Sequence, residues 1–174
     1  MRYLVPFLLL LSACSLHRTG GADLPSVLKT QKPLYLTQRF EIVKGGKPFK
    51  FQGFAELEGN RLAIVGLTPV GNRGFSAVFE NRTVEMDTMA FYRLPIKAKA
   101  LLAGYQMMYG AASDLEELGF TVVRDGETRR ILRGSRLIAQ VTYSHSELFR
   151  GTARLAHITG QYTLTVDTRA VEDL

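Results

Sequence analysis

Apolar residues recur at every second position along most of this chain, and no other feature constrains its fold as strongly. Successive side chains of a strand point to opposite faces, so this alternation describes a sheet with one dry face and one wet face. Leu34, Leu36, Phe40 and Ile42 alternate with Tyr35, Thr37, Arg39 and Glu41, and the run stops at Lys44-Gly45-Gly46-Lys47. Phe49, Phe51, Gly53, Ala55 and Leu57 give the inner face of a second strand, closed by Glu58-Gly59-Asn60. The stretch 61–67 is apolar on both faces and reads as a central strand. Phe75, Ala77 and Phe79 mark a fourth, and Val84 and Met86, after Asn81-Arg82, a fifth. Further strands fall at 121–124 and 128–132 around Asp125-Gly126, then at Leu137, Ala139, Val141 and Tyr143 after Gly134-Ser135. The last carries Tyr162, Leu164 and Val166. About nine or ten short strands in hairpin order predict a mainly β (α+β) domain over 33–170, built on one antiparallel sheet that curves or closes to protect its edges.

One segment breaks the alternation. Pro95 suits the first turn of a helix, and 96–112 contains no further proline and many good helix formers. Ser113-Asp114-Leu115-Glu116 has the order of a capping box, which restarts a short helix stopped by Gly119, so a helical region spans 95–118. Ile96, Leu101, Leu102, Met107, Met108 and Tyr109 point in most directions around the first helix. A helix apolar nearly all round is buried on more than one side. Lying across a curved sheet, it either plugs a packed core or covers an apolar cavity, and periodicity does not decide between them. Gly104, Gly110 and the adaptable pair Met107-Met108 lean towards a cavity.

The N-terminus is of another kind. Met1-Arg2 supplies a positive end, 3–11 is an apolar run, and Leu11-Ser12-Ala13-Cys14 follows. An apolar run of about ten residues is half of what a spanning helix needs, so residues 1–13 read as a cleaved signal peptide. Leu-Ser-Ala-Cys resembles the lipobox of bacterial lipoproteins, which implies that Cys14 is lipidated and anchors the mature chain. Ser15 follows, where lipoproteins retained in the inner membrane of enteric bacteria typically show Asp, and this favours the periplasmic face of the outer membrane. Cys14 is the only cysteine, so no internal disulfide is possible. Residues 14–32 then read as a flexible tether that, extended, reaches roughly 60 Å. The whole chain carries 22 Lys and Arg against 16 Asp and Glu, an excess that suits anionic lipid but is too diffuse to name a partner. A periplasmic address argues against nucleic acid.

Catalytic patterns are weak. His17 lies in the tether, and His145 and His157 stand apart from any metal-ligand or nucleophile spacing. Ser144-His145-Ser146-Glu147 gathers triad residue types, but neighbouring strand residues point apart. Asp114, Glu116 and Glu117 read as a charged first helical turn. Arg129-Arg130, Arg133 and Arg136 cluster across one hairpin and read first as a solvated sheet face, second as a phosphate contact. The expectation is a protein that is not an enzyme and uses no metal or cofactor.

Leu67-Thr68-Pro69-Val70-Gly71, between a strand of Arg-Leu-Ala-Ile-Val-Gly type and Phe75-Ser-Ala-Val-Phe, resembles the Leu-Thr-Asn-Pro-Leu-Gly stretch of the LolB family of outer-membrane lipoprotein receptors. The similarity continues through Leu94-Pro95, 115–120 and 137–144, and covers most of 34–168. Leu101-Leu-Ala-Gly-Tyr-Gln106 also resembles LolB-like lipoproteins encoded beside aryl-polyene lipid genes. The resemblance implies an open LolA/LolB-like half-barrel and a helical lid in which Leu101, Leu102, Met107 and Met108 face acyl chains in a cavity. It implies a membrane-inserting loop at Pro69, Val70 and Gly71, with Val70 where that family has a protruding leucine and Thr68 in place of its asparagine. The expected partners are a membrane, a lipid or lipoprotein cargo and a soluble periplasmic LolA-like carrier, met by a monomer. The alternative is a structural or assembly lipoprotein with a packed core that docks on another protein, with a lipid hydrolase a distant third.

Overall fold

The structure is a computed structural model that describes residues 15–20 and 33–173. The signal peptide expected at 1–13 and the lipidation expected at Cys14 lie outside the described residues. Among the described residues, eleven strands form one antiparallel sheet around two short helices. The chain runs β1 (Ser15–Gly20), β2 (Leu34–Lys44), β3 (Lys47–Glu58), β4 (Arg61–Leu67), β5 (Arg73–Glu80) and β6 (Thr83–Thr88), then α1 (Ala98–Tyr109) and α2 (Ala112–Glu116). It returns through β7 (Thr121–Asp125), β8 (Thr128–Arg133), β9 (Arg136–Tyr143), β10 (Gly151–His157) and β11 (Tyr162–Asp173). Two meanders, β2 to β6 and β7 to β11, join where β11 pairs with β2, so the sheet order is β1-β6-β5-β4-β3-β2-β11-β10-β9-β8-β7.

The predicted alternation sets the faces. Leu36, Phe40 and Ile42 of β2, Phe51, Ala55 and Leu57 of β3, and Leu155, Leu164 and Val166 of the returning half are buried on the concave side. β4 is buried on both faces at Leu62, Ala63 and Ile64, as its apolar run requires. Gly53 and Gly66 sit opposite each other, and Phe75 lies over the second so closely that a Cβ there would meet its ring at 2.0 Å. The ring continues into stacked Phe51 and Phe40, so a glycine pair makes room for an aromatic row across the sheet.

Four details differ from the sequence reading. The helix begins at Ala98 with Lys97 as its cap and ends at Tyr109, so Pro95 lies upstream of the first turn. Residues 89–97 first fold back on the sheet, through Met89 N–H to the Gly74 carbonyl and the Tyr92 hydroxyl to the Leu67 carbonyl, which delays the start. Ser113-Asp114-Leu115-Glu116 forms no capping box, because the extended cap residue is Ala111 and Ser113 already lies inside α2. β10 is an additional strand, its inner face only Ala153 and Leu155. The segment read as a tether holds β1, which pairs along the whole of β6 and covers that strand's free edge.

Candidate functional site

Antiparallel order brings the β4–β5 loop and the β6–α1 loop to the same end of the sheet, since Leu67 ends β4, Thr88 ends β6 and β5 starts between them. The first is a tight turn. Thr68 N–H donates to the Asn72 carbonyl at 2.8 Å and Gly71 N–H to the Thr68 carbonyl at 2.9 Å, while Gly71 takes φ +86°. Pro69, having no N–H, cannot extend the ladder, and Val70 at the apex is left 80% exposed. On the second loop Phe91 is 99% exposed and Met89 about half exposed. Tyr92 pins this loop by packing edge-on against Phe49, 5.6 Å between ring centres. Exposed Lys44, Lys47, Arg93 and Lys97 stand on the turns of the same end. Ser15 of β1 pairs with Thr88, so the residue following Cys14 also lies at this end.

Beside the Val70 turn a groove of 680 Å³ opens on the outer face, walled by Thr68, Pro69 and Gly71 and floored by outward residues such as Arg39, Glu41, Lys50 and Gln52. Lys50 and Glu41 pair across it at 3.4 Å. None of Leu101, Leu102, Met107 and Met108 lines it. Those four lie in the core under the concave face, where Leu101, Leu102 and Met108 are 0% exposed and Met107 5%. Gly104 lets α1 approach the sheet, since a Cβ there would sit 3.2 Å from both Leu164 and the Tyr162 hydroxyl.

Polar groups tie α1 to this wall. Tyr162 donates to the Ala100 carbonyl at 3.0 Å and Tyr143 to the Met108 carbonyl. Tyr105 donates to Gln38 Oε1 at 3.1 Å, and Gln38 Nε2 to Thr168 at 2.9 Å. Burial pushes the Tyr105, Tyr109 and Tyr162 hydroxyls well above their ordinary range, so they serve as neutral donors. Arg129 also points inward, contrary to its reading as part of a solvated face; Arg130, Arg133 and Arg136 remain exposed. Its phase was legible, because it shares parity with inward Ile131.

Among the described residues, His145 and His157 form no catalytic arrangement. His157 Nδ1 accepts Gly160 N–H at 2.9 Å and its ring stacks on Tyr162, while burial pushes its pKa down. Ser144 Oγ accepts Thr152 N–H at 2.8 Å, and Glu147 pairs with Arg150 at 2.8 Å, so both are engaged away from His145. Among the described residues no group of histidine, cysteine and carboxylates could hold a metal ion, and no helix is long and apolar enough to cross a membrane.

A mainly β, curled antiparallel sheet enclosing an apolar helix, with an apolar tip at one end, is the class that these features define. The chain belongs to the family described as protein of unknown function (DUF3261), which matches residues 35–170. Comparison with curated proteins returns no match. Among solved structures it is similar to a LolA superfamily protein from Nitrosomonas europaea, at 11% identity and TM-score 0.47, covering 87% of this chain and 90% of that one. It is similar to a DUF1329 family protein from Desulfovibrio piger, at 12% identity and TM-score 0.46, covering 83% and 86%. A domain from Vibrio parahaemolyticus assigned to outer membrane lipoprotein sorting matches at 9% identity and TM-score 0.44, covering 84% and 87%.

Proposed function

We propose that this chain is a lipid-anchored periplasmic lipoprotein of the outer membrane, tethered through Cys14, which handles the acyl chains of a lipid or lipoprotein at the membrane surface and is not an enzyme. The observation that carries the reading is the coincidence at one end of three features: exposed Val70, exposed Phe91 and the strand start at Ser15 directly after Cys14. Acyl chains on Cys14 would bring that end to the bilayer, where the two apolar side chains enter the interface and Lys44, Lys47, Arg93 and Lys97 face anionic head groups. Pairing of β1 with β6 replaces a long, free reach with a fixed orientation. The cargo's acyl chain displaces packed side chains along α1, where Met107 and Met108 adapt to its shape. A soluble LolA-like carrier delivers that cargo to a monomer.

Complete burial of Leu101, Leu102 and Met108 favours a second reading, in which the core stays packed and the tip docks on a protein. Mass spectrometry of lipid extracted from the purified domain without its anchor separates the two. Co-purifying acylated lipid supports the first, and a lipid-free domain that fails to bind vesicles of anionic phospholipid sinks it. Fractionation tests the anchor: Cys14→Ala, with its signal peptide removed, is expected to leave the membrane fraction.

A further inference from the structure

The interior holds a cation that the protein itself does not neutralise. Arg129, on the inner face of β8, is 7% exposed; its Nη1 donates to the Gly110 carbonyl at 2.7 Å, and the guanidinium also stands beside the Tyr143 hydroxyl, a neutral group. Nε and Nη2 are buried without a partner, and no carboxylate of the described residues pairs with the guanidinium. One helical turn before Gly110, Gln106 is 0% exposed with both its Oε1 and Nε2 unpartnered. A guanidinium stays charged at any accessible pH, and leaving it and a whole amide unsatisfied in an apolar interior is strongly unfavourable. Capping the C-terminal end of α1 accounts for Nη1, where a cation complements the helix dipole, but it leaves the other nitrogens unexplained. Nη2 and Nε are the edge of the guanidinium fork that grips two oxygens of one anion.

We infer that Arg129 and Gln106 form an internal receptor for the oxyanion head, carboxylate or phosphate, of an otherwise apolar molecule. The anion takes the two free N–H groups of Arg129, and Gln106 Nε2 donates to a remaining oxygen. The buried cluster of Leu, Ile, Val and aromatic side chains around them suits an apolar chain behind the head. This rests on the proposal that the protein handles acyl chains, and it adds that the ligand is acidic and lies with its head inside the barrel, at the Gly110 end of α1.

The test is calorimetric binding of dodecanoate, dodecyl phosphate and dodecanol to the purified domain without its anchor. At least one anion is expected to bind about tenfold or more tightly than dodecanol, the worth of a charge-assisted pair of hydrogen bonds. Whichever anion binds more tightly identifies the head group. Arg129→Met should bring anion and alcohol within about twofold of each other. Gln106→Leu, which removes only unpartnered polar atoms, provides a second variant that folds and should reduce the preference about threefold. Equal binding of anions and dodecanol by the native protein overturns the head-group receptor and leaves acyl handling standing. Binding of none of the three overturns both, and an anion preference that survives in Arg129→Met and Gln106→Leu assigns it elsewhere and overturns the receptor.

Discussion

Leu102 and Phe91 are both large and apolar and lie eleven residues apart, yet one is wholly buried and the other almost wholly in solvent. Packing explains Leu102: it stands in the core cluster with Leu101, Met108 and the inner faces of both meanders. No contact inside the domain explains why Phe91 and Val70 should be apolar. The helix is therefore where this molecule's stability lies, and the loops at 68–72 and 89–97 are where a demand from outside it shows.

The sharpest way to break that contrast is truncation in α1. Leu102→Ala should cost about 2–5 kcal/mol by urea denaturation, because transfer and cavity terms add in a filled core. A loss nearer 1 kcal/mol would mean that the helix already borders a void, and would move it from the packed class to the cavity wall of the sequence reading. At the tip the sign of the argument reverses. Val70→Glu and Phe91→Glu should leave stability within about 0.5 kcal/mol while reducing binding to anionic vesicles by roughly tenfold for Phe91 and less for Val70. A large stability loss in either would remove the residue from the membrane surface and return it to the core.

The smallest effect concerns His157. Burial holds its folded pKa below the unfolded 6.5, so the unfolded chain binds the proton more readily. The contribution of the neutral ring is present above pH 6.5 and is lost as pH falls through that value towards the depressed folded pKa. Thermal unfolding should therefore move down between pH 7 and pH 5, and His157→Gln should flatten part of that slope. An unchanged slope would show that groups other than His157 govern acid sensitivity in this range.

How much of this was legible beforehand follows from how strongly each residue announces its environment. Paired runs such as Leu36-Phe40-Ile42 fix strand and face together, since a slip by one residue would turn the whole set into water. β10 escapes because its inner face is only Ala153 and Leu155. Pro69 and Gly71 announce a turn, whereas nothing near Phe91 separates an exposed aromatic from a buried one; its fate is set by Tyr92, which takes the inward place against Phe49. Arg129 is hidden by its company, because three exposed arginines on the same hairpin make the fourth look like one of them. Strand parity argues for the interior, and charge argues against it. A buried charge is the kind of local conflict that marks a functional position.

The seam between β2 and β11 carries a consequence for how the molecule assembles. On its second edge Lys44 pairs with Tyr162 and Leu34 with Asp173, so the first strand of one meander waits for the last strand of the other. Until β11 arrives, β2 presents an open row of amides and carbonyls beside a half-formed apolar face, the condition under which chains pair with one another instead of with themselves. Closing so long a loop is entropically slow, so refolding should be limited by this late, non-local step. A chain emerging on the far side of a membrane would spend that interval exposed, and its yield would depend on how well chaperones shield β2.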